Sequence, residues 1–505
     1  MKATDLIEVL RLKAIYGEPL ANKEISLLVN DTRKIIANSC YIAIRGEHFD
    51  GHHAIEQAVK AGANVVVVEE YREAWQNLNA TIILVDSTFR AQAILANQFY
   101  HRPSERLTIT AITGTNGKTT TSSMISDWLT RLGHKTGLLG TLHYKVNEKY
   151  YPAVNTTPNA LELQRLFNEM VVEECQDAII EASSHALQLG RLWYTEVDCA
   201  IFTNLTREHL DFHHTMEHYA YAKSLLFAQL GQKLSNGRPK LAIVNLDDEY
   251  SQLMAQATAA EVATYSIGNT NATVYATDIE VIDNQTEFKL WVNQRPHQVT
   301  LKMLGDYNVA NYMAAFLCLK YYYGYSTEEI IRVSGEFEGV SGRMQLVDEG
   351  QPYKVVVDFA HTPDAIENVL KELVAKKQGR LITLIGHSGG NRDSGARPEI
   401  GDIVFKYSDY IVFTADNPRH EPVKKICQEI IGQHNEVDYT IIEKREEAIA
   451  FALNQANEHD TVVFTGKGGE LYQVIGDDYV PYNEVEVIKA TLKKINRTLG
   501  EKIWN

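Results

Sequence analysis

A chain of 505 residues is too long for a single hydrophobic core and indicates about three domains. With 45% hydrophobic and 23% charged residues it has an ordinary globular composition, and no apolar run approaches the ~20 residues of a membrane span. The formal net charge of −16 argues against a general nucleic-acid or membrane-surface binder, so an anionic substrate would need local basic pockets.

Residues 1–102 predict a first α/β domain, in which short apolar strands at 64–68 and 81–85 alternate with helical patterns. The start of the chain is amphipathic and lacks the apolar core of a secretion signal. The five cysteines are scattered and never in C-x-x-C spacing, which supports neither a disulfide framework nor a zinc site. We therefore expect a cytoplasmic protein without membrane insertion.

Residues 103–338 form the second predicted domain, which opens with a strand, a glycine-bearing turn and a helix start. An apolar run at 107–113 is followed by Gly114, Thr115, Asn116, Gly117, Lys118, Thr119 and Thr120. A strand, a glycine turn and a helix start in this order favour a phosphate-binding loop over a glycine turn that binds no ligand. In such a loop the backbone N–H groups and the helix dipole face the phosphate anion. Lys118 then reaches the β- and γ-phosphates, and Thr119 can ligate Mg²⁺.

The rest of the second domain predicts a parallel sheet. Apolar strands at 177–180, 198–202 and 240–244 alternate with helical patterns, as in parallel α/β folds. Glu181 ends the first of these strands, where a carboxylate can hold Mg²⁺ that bridges two phosphates. A polar, strand-like insert follows at about 264–301, and a helical pattern at 308–323 closes the domain.

Residues 339–505 form the third predicted domain, and their polar turns indicate a binding site. Apolar, strand-like runs lie at 354–357, 381–385, 410–414 and 461–465. Each run leads into a turn rich in charged, amide or glycine residues. Because ligands of open parallel sheets bind outside the carboxyl ends of the strands, the four turns predict one composite site.

Seven motifs, in order along the chain, closely resemble those of the Mur ligases. They are GTNGKTT at 114–120, EASSHAL at 181–187, TNLTREHLDFH at 203–213, YAKSLLF at 221–227, GRMQ at 342–345, DFAHTPDA at 358–365 and DNPR at 416–419. The resemblance implies an α/β fold in which a central P-loop domain with a parallel sheet (103–338) binds ATP. It implies a uridine-binding N-terminal domain (1–102) and a Rossmann-like C-terminal domain that binds an amino acid (339–505).

The resemblance also implies the reaction. The chain is similar to the branch of the family that adds the third amino acid to UDP-MurNAc-L-Ala-D-Glu in peptidoglycan precursor synthesis, through an acyl phosphate. An alternative is a related ATP-dependent amide ligase with another acceptor, such as a folylpolyglutamate synthetase, but such enzymes need no uridine-binding domain like residues 1–102. A second alternative is a non-catalytic paralogue that binds the precursor, which the intact nucleotide motifs disfavour. The implied partners are small-molecule substrates, with no nucleic acid.

The resemblance gives roles to individual residues of the nucleotide site. Asn308 is expected to contact adenine, and Arg343 and Asp358 of the third domain are expected to contact the phosphate and the ribose. The expected metal ligands, which would hold Mg²⁺, are Thr119, Glu181, His209 and Lys223. Lys223 is expected to be carbamylated to N6-carboxylysine, because family members carry that modification in the matching motif. The expected catalytic residues are Lys118, His209 and Lys223.

Two further groups of residues match substrate-binding positions of the family. Those expected to bind the UDP-MurNAc-dipeptide are Asn30, Thr32, Glu47, His48, Phe49, Asn155, Thr156, Thr157, Ser183 and Arg191. Those expected to bind the incoming amino acid are Arg392, Asp416, Asn417, Pro418, Arg419, Gly466 and Glu470.

The DNPR motif favours meso-2,6-diaminopimelate as the incoming amino acid, with L-lysine or another diamino acid as the alternative. Diaminopimelate differs from lysine by one carboxylate at the far end of its side chain. The guanidinium group of Arg419 can bind that carboxylate through two hydrogen bonds, while Glu470 neutralises the distal ammonium group. Lysine would leave the donors of a buried arginine unpaired.

Overall fold

The computed structural model describes residues 1–503 except 47–48, 232, 235–236, 283–284 and 391–393, and only the backbone of residues 497–503. The predicted site residues Glu47, His48 and Arg392 therefore lie outside the described residues. The described part of the chain forms sheets of five, eleven, six and two strands, which confirms the α/β fold. We propose 1–102, 103–338 and 339–505 as the domain bounds, and refer to them as the N-terminal, central and C-terminal units.

The N-terminal unit has a five-stranded sheet in the order β1-β5-β4-β3-β2. Its elements are α1 (Ala3–Ile7), β1 (Ala14–Gly17), β2 (Leu27–Val29), β3 (Ser39–Ile42), α2 (Ile55–Lys60), β4 (Ala63–Val68), β5 (Thr81–Leu84) and α3 (Thr88–Phe99). Strands β2 to β5 are parallel, and β1 pairs antiparallel with β5 at one edge. The strands expected at 64–68 and 81–85 are confirmed as β4 and β5.

The central unit is built on the eleven-stranded sheet. Its strands are β6 (Thr108–Thr113), β7 (Thr136–Leu139), β8 (His143–Val146), β9 (Lys149–Pro152), β10 (Asp177–Glu181), β11 (Cys199–Phe202), β12 (Leu241–Asn245), β13 (Glu261–Ile267), β14 (Val274–Ile282), β15 (Gln285–Val292) and β16 (Arg295–Leu301). Its α-helices are α4 (Lys118–Arg131), α5 (Ala160–Val172), α6 (Ser184–Gln188), α7 (Leu210–His213), α8 (Met216–Ala228), α9 (Ser251–Ala257), α10 (Asp306–Leu317) and α11 (Thr327–Ser334).

The expected parallel strands form the core of the central sheet, and antiparallel strands extend it at both edges. The strand order is β16-β15-β14-β13-β12-β11-β6-β10-β7-β8-β9, and the seven strands from β14 to β7 in that order run parallel. Strands β8 and β9 at one edge, and β15 and β16 at the other, pair antiparallel. The strand-like insert expected at 264–301 therefore extends this sheet, because its hairpins continue the hydrogen-bonding of the edge.

The P-loop strand β6 lies inside the sheet between β10 and β11. Residues 109–113 of this strand are buried, as is typical of a parallel strand covered on both faces. Helix α4 follows it and packs Met124, Ile125, Trp128 and Leu129, all fully buried, into the core. The nucleotide turn is thereby fixed at the centre of the unit.

The C-terminal unit contains the six-stranded sheet, in the order β17-β18-β22-β19-β20-β21, and the two-stranded one. Its strands are β17 (Gln345–Leu346), β18 (Lys354–Val357), β19 (Leu381–Ile385), β20 (Tyr410–Phe413), β21 (Tyr439–Ile441), β22 (Thr461–Phe464), β23 (Tyr472–Ile475) and β24 (Asp478–Pro481). Its α-helices are α12 (Pro363–Lys376), α13 (Arg397–Tyr407), α14 (Val423–Ile431), α15 (Arg445–Gln455) and α16 (Glu484–Ile503).

The four strands expected in this unit are confirmed as β18, β19, β20 and β22. They are neighbours in the sheet and run parallel. Their carboxyl ends, and the polar turns that follow, therefore share one edge, as the sequence predicts. Of the helices in the described part of the chain, none combines the length and the apolar character needed to span a bilayer.

His134, just after α4, joins that helix to the start of β10 through a partly buried ion pair. Its Nδ1 atom lies 2.6 Å from Asp177 Oδ2, and its Nε2 atom lies 2.7 Å from the Tyr325 hydroxyl. The hydrogen bond to Asp177 raises the pKa of His134 above its ordinary value of 6.5. The pair therefore contributes its full stability below the unfolded-state pKa, and this contribution is lost as the pH rises through the raised folded-state pKa.

We expect His134→Gln to lower the melting temperature most at about pH 5.5, and the difference from the wild type to shrink as the pH rises towards about 8.5. Thermal unfolding across this range measures the difference. His218→Gln, which changes an exposed histidine of α8, is the control. A difference that stays constant with pH would contradict this role for the ion pair.

Candidate active site

The turn between β6 and α4 has room for glycine alone at two positions. Gly114 and Gly117 have φ values of +153° and +84°. A Cβ on Gly117 would lie 2.3 Å from Asn311 Oδ1, and one on Gly114 would lie 1.8 Å from Thr203 Oγ1. The backbone of the turn is thus held close to its neighbours, with N–H groups at the start of α4, the arrangement that binds phosphate.

Two lysines converge on the carbonyl oxygen of Gly114. Lys118 Nζ donates to this oxygen at 2.8 Å and to the Thr115 carbonyl at 2.7 Å. Lys223 Nζ, on α8, donates to the same Gly114 oxygen at 2.8 Å and is buried. Burial lowers the pKa of Lys118. Burial and the Lys118 ammonium group hold the pKa of Lys223 well below 10.5. An anion bound beside these amines would relieve their repulsion.

Thr119 and Glu181 form a cluster of oxygen ligands beside the P-loop. Glu181 Oε2 accepts from the Thr119 hydroxyl at 3.1 Å and from the Thr141 hydroxyl at 2.8 Å. The described residues contain no group of three or more His, Cys, Asp or Glu side chains that could hold a metal ion. One hydroxyl and one carboxylate nevertheless fit Mg²⁺, which keeps several waters and takes its remaining ligands from phosphates.

His209 precedes α7 and faces a carboxylate that the sequence analysis did not single out. Its Nε2 atom lies 3.4 Å from Glu208 Oε1, and the same oxygen lies 3.7 Å from Nε2 of His361 in the C-terminal unit. Burial alone would raise the pKa of Glu208, but His209, His361 and Lys118 hold it well below its usual range. Glu208 is therefore a carboxylate that faces both units.

The C-terminal unit reaches the P-loop directly. Arg343 donates from Nη2 to the Thr119 hydroxyl at 3.2 Å, and Asn116 donates from Nδ2 to Asp364 Oδ2 at 3.0 Å. Asp358 accepts hydrogen bonds from two backbone N–H groups, at 2.6 and 2.7 Å. Residues of both units therefore meet at the P-loop, and the nucleotide contacts of Arg343 and Asp358 stay predictions.

Asn308 lies at the start of α10, next to the P-loop. Its Nδ2 group donates to the Leu304 carbonyl at 2.7 Å, and its Oδ1 atom accepts from Asn311 at 3.1 Å. Asn311 accepts in turn from the Thr121 hydroxyl at 3.3 Å. These bonds brace α10 against α4, and the adenine contact of Asn308 stays a prediction.

The expected precursor residues of the central unit lie beside Glu181. The Thr157 hydroxyl donates to the Glu181 carbonyl at 2.7 Å, and the Ser183 backbone N–H donates to that hydroxyl at 3.0 Å. Arg191 donates to the Thr157 carbonyl at 2.9 Å. Thr156 contacts the Thr141 hydroxyl at 3.2 Å, and the neighbouring Asn155 is exposed.

The expected precursor residues of the N-terminal unit follow two neighbouring parallel strands. Asn30 and Thr32 follow β2, and the exposed Phe49 follows β3. Asn30 donates to the Gln92 side chain at 2.8 Å. These residues therefore share one edge of the first sheet, and no hydrogen bond or ion pair joins the described members of this group to the central-unit group.

The expected amino-acid residues lie on the turns after β20 and β22. Asp416, Asn417, Pro418 and Arg419 follow β20, and Gly466 and Glu470 follow β22. Asn417 Nδ2 donates to Glu470 Oε2 at 3.2 Å, which joins the two turns. Arg419 adopts a left-handed backbone with φ +53°, and its N–H donates to the Val474 carbonyl at 3.1 Å. Such strain in a non-glycine residue is typical of functional sites.

Family models match the chain in three segments. They are the Mur ligase family catalytic domain at 24–100, the Mur ligase middle domain at 112–319 and the Mur ligase glutamate ligase domain at 342–468. A relative from Geobacillus kaustophilus, a UDP-N-acetylmuramoyl-L-alanyl-D-glutamate--2,6-diaminopimelate ligase, is 41% identical over 481 residues. That alignment covers 94% of this chain and 96% of the relative. The chain belongs to the Mur ligase family.

Solved structures of Mur ligases share the whole architecture. One of a UDP-N-acetylmuramoyl-L-alanyl-D-glutamate--2,6-diaminopimelate ligase matches with a TM-score of 0.68 and 28% identity, over 98% of this chain and 99% of that one. The fold of a MurF ligase from Thermotoga maritima in complex with ADP matches with a TM-score of 0.65 at 16% identity. That match covers 92% of this chain and 98% of the MurF chain.

Two buried basic residues of this Mur ligase support the amino-acid turns and escaped the sequence analysis. Lys467 donates to Asn417 Oδ1 at 2.9 Å and to Glu470 Oε2 at 2.6 Å. Arg445 donates to the carbonyls of residues 415 and 465, at 3.0 and 2.8 Å, and pairs with the buried Glu484. Only the GKGGE turn around Lys467 carried a signal, since lysines and arginines are mostly exposed.

We expect Gly117→Ala to weaken ATP binding severely, because its Cβ would meet the Asn311 side chain. Gly133→Ala is a matched control at the other end of α4, since its φ is +93° and a Cβ placed there would meet nothing within 4 Å. Each variant should lose roughly 1–2 kcal/mol of stability through left-handed strain. Calorimetric nucleotide titration should separate them. Equal ATP affinities would contradict the geometry of this phosphate-binding loop.

Proposed function

We propose that this Mur ligase joins meso-2,6-diaminopimelate to UDP-MurNAc-L-Ala-D-Glu at the expense of ATP, in peptidoglycan precursor synthesis. The observation that carries the proposal is the convergence of Lys118, Thr119 and Glu181 with Arg343 of the C-terminal unit. The near-complete match to relatives named as 2,6-diaminopimelate ligases supports the choice of substrates.

In the first step the D-glutamyl carboxylate of the precursor attacks the γ-phosphate of ATP, giving an acyl phosphate and ADP. Both reactants are anions, so Lys118, Arg343 and the N–H groups of the P-loop would stabilise the charge of the transition state. Thr119 and Glu181 would hold Mg²⁺, which supplies charge neutralisation at the β- and γ-phosphates. Arg191 would orient the precursor beside them.

In the second step the amino group of diaminopimelate attacks the acyl carbon, and inorganic phosphate leaves. Water must be excluded at this stage, since it would hydrolyse the acyl phosphate. The contacts of Asn116 with Asp364 and of Thr119 with Arg343 close the C-terminal unit over the P-loop. Closure would also bring the Arg419 turn and its amino acid towards the acyl phosphate.

Lys223 would act as its carbamate. Its buried position and lowered pKa favour the neutral amine, which can attack CO₂ to form an N–C bond with release of one proton. The product is an anion beside Lys118, and the ammonium group of Lys118 would attract it. Together with His209, the carbamate would offer oxygen and nitrogen ligands to a second Mg²⁺.

We expect Lys223→Ala to abolish most activity, and short carboxylic acids such as acetate to restore part of it by supplying the missing anion. Lys289→Ala, which changes a half-exposed lysine of β15, is the control and should be unaffected. Labelling with ¹³CO₂ should give a carbamate signal in the wild type that disappears in Lys223→Ala. A fully active Lys223→Ala enzyme, or a wild type without that signal, would contradict the functional carbamate.

The choice of amino acid is tested at Arg419. Two charge-assisted hydrogen bonds to the distal carboxylate are each worth roughly 1.5–3 kcal/mol, so Arg419→Ala should lower kcat/KM for diaminopimelate about 10²-fold or more. The kcat/KM for lysine as substrate should fall far less. Arg419→Lys should give an intermediate kcat/KM for diaminopimelate, because it keeps the positive charge but lacks the planar guanidinium group.

The measurement is phosphate release at saturating ATP and precursor, with each amino acid in turn. Release from the wild type should require all three substrates. A wild type that prefers lysine, or equal losses for both amino acids in Arg419→Ala, would overturn diaminopimelate as the substrate. If the wild type releases no phosphate with either amino acid, the proposed ligase activity itself is wrong.

A further inference from the structure

Lys467 is a fully buried lysine in the turn after β22. Its Nζ atom donates to Asn417 Oδ1 at 2.9 Å and to Glu470 Oε2 at 2.6 Å, and it lies 3.7 Å from Asp416 Oδ1. It also lies 5.5 Å from the centre of the Tyr472 ring. Neither step of the proposed reaction uses this ammonium group.

The partners of Lys467 are themselves joined. Asn417 Nδ2 donates to the same Glu470 oxygen at 3.2 Å, so Lys467, Asn417 and Glu470 form a closed triangle of hydrogen bonds. Asn417 Oδ1 also accepts from the Val474 backbone N–H at 2.9 Å, which fixes the triangle to β23. A lysine taken out of water is retained only when paired in this way.

The charges around the triangle bear on amino-acid choice. Asp416 and Glu470 bring two negative charges, and Lys467 cancels one of them. Burial alone would raise the pKa of Asp416, but Lys467 and Arg445 keep it below its usual value, so this carboxylate is ionised. The distal end of diaminopimelate has a carboxylate and an ammonium group and is neutral overall, whereas the distal end of lysine is a cation.

We propose that Lys467 is a specificity-determining residue that makes the pocket reject an amino acid whose side chain ends in a cation alone. Its ammonium group holds Asn417 and Glu470 in place, and it repels a second ammonium group that lacks a carboxylate beside it. Without Lys467 the pocket is one charge more negative and suits lysine better. This inference rests on the proposed function of the same turns.

The test compares Lys467→Gln, Lys467→Met and Lys467→Arg with the wild type. The kcat/KM values for diaminopimelate and lysine are measured at saturating ATP and precursor. Loss of the charge in Lys467→Gln and Lys467→Met should lower the diaminopimelate-to-lysine ratio about tenfold or more. Lys467→Arg, which keeps the charge, should retain most of the ratio, and the KM for ATP should stay within about twofold in each variant.

Several results would overturn the inference. An unchanged ratio in Lys467→Gln would do so, as would parallel losses for both amino acids with a raised KM for ATP, which indicate a merely structural role. Lys467→Gln keeps a hydrogen-bond donor for Glu470, so it carries the test if Lys467→Met does not fold. A wild type inactive with diaminopimelate would instead overturn the proposed function, and this inference with it.

Discussion

The carbonyl oxygen of Gly114 accepts hydrogen bonds from Lys118 and Lys223, and the arrangement of the site follows from that shared acceptor. Two amines held at one oxygen repel each other, and burial strengthens the repulsion because little water screens it. Glu208 and Glu181 offset part of this positive charge, and added negative charge would offset more of it. A triphosphate would supply such charge, and so would the carbamate proposed at Lys223.

The second constraint is that the site belongs to two units at once. Thr119 of the P-loop bonds to Glu181 of its own sheet and to Arg343 of the C-terminal unit. Glu208 adds a carboxylate that faces a histidine of each unit. Neither unit alone presents the full set of groups, so the chemistry depends on their closure.

Local patterns account for what the sequence predicts well. The four C-terminal strands are mostly apolar, and the P-loop strand contains only apolar residues and threonine, because parallel strands are buried on both faces. The polar turns at their ends follow from the motifs. The expected nucleotide residues therefore come together around β6, and the expected amino-acid residues come together after β20 and β22.

Nonlocal pairing accounts for what was missed. The hairpins at 264–301 join the central sheet through edge hydrogen bonds that no local period reveals. Arg445 is neutralised by Glu484, which is distant in sequence. Lys467 is neutralised by Glu470 of its own turn and lies near Asp416 of the neighbouring turn. A charged residue in a turn or at a helix start is normally solvated, so such partners become visible only in three dimensions.

Arg419 combines a backbone conformation that lowers stability with a side chain that is proposed to bind the substrate. Its left-handed backbone, at φ +53°, costs an arginine roughly 1–2 kcal/mol that a glycine would not lose. Its N–H and carbonyl groups bond to the β23–β24 hairpin, and any residue could make those bonds. In the proposed reaction the guanidinium group binds the distal carboxylate of the amino acid, and this contact would offset the strain. In a relative that no longer selects its amino acid, we expect this position to change towards glycine. Such a change would remove the proposed substrate selection and increase the stability of the protein.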